Sequence, residues 1–195
     1  MIPRNYLVFA LGMAAALAGG WLAFPRALYR TVEQPLQFSH AVHVGESVGM
    51  ACQDCNSLDE DGRFSGLPQI EVCAPCHTDP MGDSENEKRL VESYVIPNVE
   101  IPWLVYARQP ENAYFAHAPH IVLAELTCEQ CHGPHGETDT LRPLEQNRIT
   151  GYSRDIWGSS LTRVRNAEWE GMKMSDCSSC HRDRRVRESC LTCHK

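Results

Sequence analysis

Apolar residues are spread unevenly along this chain. Tyr6 to Phe24 is a run of 19 residues without a charge, bounded by Arg4 on one side and by Arg26 and Arg30 on the other. At about 1.5 Å per residue such a helix is just long enough to cross a hydrocarbon core of roughly 30 Å. The pattern therefore predicts an anchor helix over about residues 5–28. A cleaved signal peptide is the competing reading, because Ala16-Leu17-Ala18 offers a small-residue cleavage site. The expectation adopted is a retained anchor. Arg4 and the amino terminus roughly balance Arg26 and Arg30, so Lys/Arg counting does not orient it.

Beyond the anchor no periodic stretch runs far before Gly, Pro or Asn interrupts it. Asp83 to Tyr94 predicts a surface helix with Leu90 and Val91 on its apolar side, and Arg163 to Met174 predicts another. Short helices and coil are expected elsewhere. A linker containing Pro35 follows the anchor, and a bridge punctuated by Pro97, Pro102 and Pro110 divides the rest. The expected organisation is an anchor (1–30), an N-terminal module (31–101) and a C-terminal module (102–195).

Composition sharpens this picture. In 195 residues there are 12 Pro, 13 Gly and only 8% aromatics, which leaves little material for a side-chain core. Ten Cys and nine His are far more than a soluble enzyme core uses. Such a chain needs disulfides, metal or a cofactor to hold its shape. A doubly wound α/β enzyme, a β-barrel and a coiled coil are all disfavoured.

All ten cysteines fall in C-x-x-C pairs: Cys52/Cys55, Cys73/Cys76, Cys128/Cys131, Cys177/Cys180 and Cys190/Cys193. Four pairs are followed at once by histidine, at His77, His132, His181 and His194. C-x-x-C-H is the attachment signature of c-type haem: two thioethers fix the porphyrin and the adjacent imidazole reaches the iron. Zinc sites and disulfides also use paired Cys, but neither requires a His directly after each second Cys. The motifs predict a multihaem cytochrome c with five haems c. Covalent haem c is attached outside the cytoplasm in bacteria. The expected location is thus the cytoplasmic membrane, single-pass, with the haem domain in the periplasm.

Cys52-Gln-Asp-Cys55-Asn56 is the exception, with Asn in place of the proximal His. It is either a pair without haem or a haem of atypical ligation, taking ligands from elsewhere or keeping an open position. Five six-coordinate haems need ten axial ligands, one more than the nine His supply. Besides the four proximal His, the candidates are His40, His43, His117, His120 and His135. Four of these lie in two F-x-H-x-x-H units, Phe38-Ser-His40-Ala-Val-His43 and Phe115-Ala-His117-Ala-Pro-His120. Each unit precedes a Cys pair, giving an internal repeat of about 76 to 77 residues. Two His three apart point in related directions and can serve neighbouring haems. His135 stands outside the repeat. Within the C-terminal half the count closes, with His117, His120 and His135 as distal ligands to three haems, while ligands crossing between the modules are the alternative. The N-terminal half lacks one ligand, for which Met50 and Met81 are the nearest thioethers. An additional haem bound without thioethers also remains compatible with the sequence.

Charge is uneven too. Residues 31–101 contain 13 Asp/Glu and 3 Lys/Arg, a net of −10, whereas 102–195 contain 12 of each. An acidic face near a haem suits docking of a basic redox partner, although general solubility explains it as well. The run Arg182-Asp-Arg-Arg-Val-Arg187 could neutralise propionates, contact another subunit or simply be solvated. Nothing suggests nucleic-acid binding.

Gln34-Pro-Leu-Gln-Phe-Ser-His40-Ala-Val-His43, Ile101-Pro-Trp103 and Tyr114-Phe-Ala-His117-Ala-Pro-His120 resemble the multihaem cytochrome subunit of alternative complex III. They equally resemble that of the bacterial menaquinone reductase (Qrc) complex. Met174-Ser-Asp-Cys177-Ser-Ser-Cys180-His181 and Ser189-Cys-Leu-Thr-Cys193-His-Lys195 fit as well, so the likeness covers most of 34–195. Residues 115–195 separately resemble three-haem relatives of cytochrome c3, which implies a C-terminal cytochrome c3/c7-like trihaem module. Asn56 departs from the alternative complex III pattern, which would have His there. The resemblance implies three partners: an integral membrane quinone-binding subunit, an iron–sulfur subunit and a molybdopterin-like subunit. It also implies electron transfer, from a soluble periplasmic cytochrome c3 towards menaquinone, a direction the acidic segment favours over quinol oxidation. A catalytic multihaem reductase with an open haem at Asn56 and a stand-alone quinol dehydrogenase are the competing classes.

Overall fold

The computed structural model describes residues 3–106, 112–152 and 174–194. Pro110, and all of the helix expected over Arg163 to Met174 except its last residue, lie outside the described residues. The anchor is one uninterrupted helix, α1 (Arg4–Leu28), with every apolar residue from Tyr6 to Phe24 exposed. Its stretch Arg4–Phe24 is long and apolar enough to cross a membrane.

From α1 the chain passes straight into strand β1 (Tyr29–Val32), which pairs antiparallel with β2 (Leu144–Asn147) in the register Tyr29↔Asn147 to Val32↔Leu144. The Arg30 guanidinium donates twice to Gln146 Oε1, at 3.0 and 2.6 Å. Short helices follow: α2 (His40–Val44), α3 (Cys52–Cys55), α4 (Ile70–Cys73) and α5 (Glu85–Leu90). After them come α6 (Glu129–His132), α7 (Met174–Asp183) and α8 (Cys190–Cys193). Wider π turns close Val91–Val95 and Pro119–Leu123, and a 3₁₀ turn spans His135–Glu137.

The predicted surface helix at 83–94 is found as α5 and the π turn behind it. There the i→i+5 bond from Ile96 N to Val91 O (2.9 Å) widens the helix and turns both Leu90 and Val91 inward. Among the described residues only six hydrophobic side chains are buried: Leu36, Ile70, Leu90, Val91, Ile101 and Leu144. Leu36, Ile70, Leu90 and Ile101 form one cluster, with Cys73, Tyr94, Val95 and Trp103 packed against it. At about 2 kcal/mol per buried side chain, such a cluster falls far short of backbone ordering at roughly 1–2 kcal/mol per residue. The thin core expected from composition is what the structure has.

The segment carrying the family-like motif Gln34 to His43 holds the two halves together. The buried Gln34 amide imitates a strand partner, donating to Leu104 O (2.9 Å) and accepting from Leu104 N (3.0 Å). Gln37 Oε1 accepts from Leu141 N (2.9 Å), and Ala41 N donates to Thr138 O (3.0 Å). A further tie is the turn at Gly62, where φ is +72° and a Cβ would stand 2.4 Å from Ala118 Cβ. Glycine is needed there for both reasons, and the contact presses the 58–64 loop onto the second F-x-H-x-x-H unit.

Candidate haem-binding centre

Each C-x-x-C pair is folded into a single turn. The amide of the residue after the second Cys donates to the carbonyl of the first: His77 N to Cys73 O (3.1 Å), His132 N to Cys128 O (2.9 Å) and His194 N to Cys190 O (2.9 Å). Asn56 N makes the same bond to Cys52 O (2.9 Å). The Asp54 carboxylate secures that turn by accepting from Ala51 N (2.7 Å). The atypical pair thus has the backbone of an attachment turn and lacks only the imidazole.

The Cys73/Cys76 pair is built differently from the others. Helix α4 ends at Cys73, because Pro75 has no amide to continue it, and Cys76 stands beyond that end. A 3₁₀-type bond from Cys76 N to Cys73 O (3.3 Å) closes the turn, as the bond from Cys131 N to Cys128 O (3.2 Å) also does in the third pair. Cys73 packs against the apolar cluster, whereas the Cys76 thiol is exposed, as are those of Cys190 and Cys193. The protein itself therefore covers only one of the two predicted attachment sulfurs here, and Cys76 is left open on the surface side of its turn. All ten cysteines are free thiols, and no cluster of three or more metal-ligating side chains exists among the described residues.

The two F-x-H-x-x-H units are structural as well as sequence repeats. Phe38 stands edge-on to His40 (4.9 Å between ring centres, 84°) and nearly parallel to His43 (4.3 Å, 23°). Phe115 repeats this with His117 (4.9 Å, 87°) and His120 (4.7 Å, 26°). In both, Nδ1 of the second His meets the carbonyl four residues back: His43 with Ser39 O (2.7 Å) and His120 with Ala116 O (2.8 Å). An imidazole that donates from Nδ1 presents Nε2 as a ligand. Ser39 Oγ caps α2 by accepting from Val42 N (3.2 Å).

Eight histidines face each other in four pairs. His43 lies 6.2 Å from His77, His117 6.4 Å from His132, His120 6.0 Å from His181, and His40 6.1 Å from His135, measured between ring centres. A metal–imidazole bond is about 2 Å long and the ring centre lies roughly 1.1 Å behind the nitrogen, so two axial imidazoles on one iron stand about 6 Å apart. The donor set fits haem c, with thiol pairs beside imidazole pairs at the separation one iron requires. Trp103 Nε1, buried beside the Cys73 cluster with no acceptor among the described residues, also fits a propionate-bearing group.

Carboxylates support two of the motif histidines. His77 Nδ1 lies 3.1 Å from Glu87 Oε1, which also accepts from Met81 N (3.0 Å). Its backbone bond to Met81 and its contact with His77 hold the Glu87 carboxyl below the usual carboxylate range. His181 Nδ1 lies 3.4 Å from Glu188 Oε1, and Ser178 Oγ donates to Glu188 Oε2 (2.9 Å). Burial, then the neighbouring His135 and His43, lowers the His40 pKa, and burial with His132 and His120 lowers that of His117. Both shifts favour the neutral ring, the form that binds iron. Nothing in the sequence marks Glu87 or Glu188, because they stand at unrelated distances from their histidines.

The structure alters the expected sharing of ligands in one place. His135 was expected to serve the C-terminal half, yet it faces His40, in the other half of the chain. The cause is the 3₁₀ turn at His135–Glu137, which packs on α2 through the bond between Ala41 and Thr138. Of the thioether candidates, Met81 is 70% exposed, and Met50 is tied by its backbone N to His43 O (2.9 Å). His194 is placed by a strand-like bridge to Ala113, with Tyr114 N bonded to Cys193 O (2.7 Å).

Cysteine turns of this kind, set beside paired imidazoles, are the working parts of a multihaem cytochrome c. No protein-family model matches the chain. It is, however, 38% identical over 202 residues, covering 96% of this chain and 89% of the relative, to the menaquinone reductase multihaem cytochrome c subunit of Nitratidesulfovibrio vulgaris strain Hildenborough. The chain belongs to the family of that multihaem cytochrome c subunit.

Proposed function

We propose that this chain is the electron-conducting subunit of a membrane-bound menaquinone reductase, receiving electrons from a soluble periplasmic cytochrome c3 and passing them towards menaquinone. The observation that carries the reading is an unbroken succession of histidines. His77 faces His43, three residues from His40; His40 faces His135, three residues from His132; His132 faces His117, three residues from His120; and His120 faces His181. The cysteine turns follow the same order, with Cys55 near enough to Cys73, Cys52 to Cys128, Cys180 to Cys131 and Cys193 to Cys177 to add electrostatically to the burial that raises those thiols' pKa values. Haem c supplies one-electron valence change, and the residues of this chain set its ligation, spacing and surroundings. In this reading the five Cys pairs carry thioethers, and His77/His43, His132/His117 and His181/His120 are axial pairs. Cys76, exposed in its turn, would supply the second thioether of the Cys73 haem. His194 is the proximal ligand of the last haem.

The chain performs no further chemistry in this reading. Its anchor α1 spans the cytoplasmic membrane once, the haem domain is periplasmic, and the haems fall into a dihaem (31–101) and a trihaem (102–195) module. Its partners are an integral membrane quinone-binding subunit, an iron–sulfur subunit and a molybdopterin-like subunit. The acidic segment supports a basic donor, as Asp59, Glu60, Asp61, Glu71, Asp79 and Asp83 are all exposed. The test is rapid mixing of the complex, purified from its native membrane, with reduced cytochrome c3. Haem reduction followed by menaquinone reduction is expected, with a rate that falls steeply as salt is raised. A complex whose haems are reduced by menaquinol but not by the cytochrome would reverse the direction.

A further inference from the structure

One Cys pair has no histidine, and one histidine pair has no C-x-x-C-H motif. Three facing pairs contain a motif histidine, namely His77, His132 or His181. The fourth, His40 with His135, contains none. The repeat relates these two exceptions. In its second copy His117 faces His132, the residue that follows Cys131. In its first copy His40 is the counterpart of His117, and Asn56 is the counterpart of His132. Asn56 keeps the turn but brings no ring, and the ring that faces His40 comes from His135 instead.

Local packing places the atypical cysteine turn where this requires. The α3 and α6 turns approach each other through their side chains: Cys52 Sγ is 4.0 Å from Glu129 Oε1, and the Cys128 thiol lies near Cys52. From α6 the chain passes through Gly133, at φ +76°, into the turn that begins at His135. On the other side Met50 N is bonded to His43 O (2.9 Å), which folds the approach to Cys52 back onto α2. Thr138 touches both residues, the backbone of His135 and the ring of His40. Its hydroxyl donates to His135 O (2.8 Å) and lies 3.3 Å from His40 Nδ1, leaving Nε2 of His40 for a metal.

We propose that the haem attached at Cys52 and Cys55 takes His40 and His135 as its axial ligands, so that a histidine from the other half of the chain replaces the one missing at Asn56. The haem at this position is then the joint between the two modules. Within this chain the ligand shortage moves to Cys190/Cys193, whose His194 makes no ring contact with another histidine among the described residues. The proposal rests on the reading of the chain as a five-haem electron carrier, but its test does not depend on electron transfer.

The test uses the whole complex from its native membrane, carrying the wild-type chain or one of three variants: His135→Ala, His135→Met and Cys52→Ala/Cys55→Ala. Readouts are covalent haem mass, ferric spin state by electron paramagnetic resonance, and carbon monoxide binding after reduction. With His135→Ala the covalent haem content is expected to stay at the wild-type value. One additional haem per complex should become high-spin and bind carbon monoxide, and added imidazole should reverse both changes. With His135→Met the haem should remain low-spin, gain a sulfur-to-iron charge-transfer band and titrate at a higher potential, which a merely structural residue would not produce. The cysteine double variant should lose one covalent haem together with one low-spin signal. An unchanged carbon monoxide count in His135→Ala, or no sulfur band in His135→Met, overturns the assignment. So does a double variant that keeps every low-spin signal, since that outcome means a separate haem bound without thioethers. Expected spectra in a complex that fails to reduce menaquinone would sink the functional reading and leave this one standing.

Discussion

In both F-x-H-x-x-H units the phenylalanine ring stands edge-on to the first histidine and nearly parallel to the second, at almost the same distances. In both, the second histidine faces the motif histidine of the second Cys pair after the unit, His77 in the first and His181 in the second. Their first histidines differ. His117 meets His132 from the Cys pair that follows it, with the rings within 10° of parallel. His40 meets His135 from 95 residues away along the chain, with the rings 48° apart. One unit closes locally and the other closes across the molecule. On the proposed assignment, an attachment turn and its proximal imidazole are separable: the turn at Cys52 keeps its backbone while the imidazole comes from His135.

The sharpest way to break this comparison is to make the second unit resemble the first. His132→Asn copies Asn56, but His135 is already committed to His40, so no spare histidine can substitute. One more haem should become high-spin and bind carbon monoxide, measured as one added equivalent per complex. The reverse exchange, Asn56→His, restores a local ligand to the first unit. In that background His135→Ala should no longer create a high-spin haem. A high-spin signal persisting in the double variant would show that the first unit cannot close locally.

A smaller effect is expected where the 58–64 loop presses on the second unit. Gly62→Ala puts a Cβ 2.4 Å from Ala118 Cβ, in a backbone conformation with φ +72°. Overpacking and the left-handed conformation together predict a loss of about 2–3 kcal/mol. For a chain of this size that is a fall of roughly 5–10 °C in melting temperature. Gly49, at φ +71° with nothing within 4 Å of where a Cβ would stand, separates the two causes. Gly49→Ala should lose only the conformational part, about 1 kcal/mol. Perturbation of the His117 haem should accompany the first substitution and not the second.

Much of this arrangement is readable from the sequence, for physical reasons that differ by residue. The N-terminal helix shows because its apolar run is unbroken and long enough to cross a membrane. The cysteine turns show because thioether attachment fixes residue type and spacing within one turn. Spacing alone does not tell how well each sulfur is covered, as the packed Cys73 and the exposed Cys76 demonstrate. The repeat shows because His40/His43 and His117/His120 keep the same i,i+3 spacing and the same leading Phe. His135 was legible as a candidate ligand but not in its partner, because its pairing depends on how the 3₁₀ turn at His135–Glu137 packs on α2, across nearly a hundred residues. The pairing β1–β2 was hidden in the same way, for Tyr29–Val32 and Leu144–Asn147 carry no alternating pattern longer than four residues. Glu87 and Glu188 could not be found at all, since one carboxylate among many acquires its role only by where its helix or loop lies.

Those two carboxylates give the finest distinction between the halves. A carboxylate that accepts from Nδ1–H makes the imidazole a stronger donor to iron, which stabilises the ferric state and lowers the potential. Replacing Glu by Gln removes the charge but keeps the shape, so the potential should rise while the haem stays low-spin. The pair His77–Glu87 is the closer, at 3.1 Å, with side chains 15% and 16% exposed. His181–Glu188 is 3.4 Å apart with side chains 26% and 42% exposed, where water weakens the interaction. A tenfold change in relative affinity for the ferric state corresponds to about 59 mV in a one-electron couple. Glu87→Gln is expected to raise its haem by about 30–60 mV and Glu188→Gln by less than half as much, read from a potentiometric titration of each variant. Equal shifts, or a larger one at Glu188, would mean that burial does not decide how strongly a carboxylate tunes its histidine here.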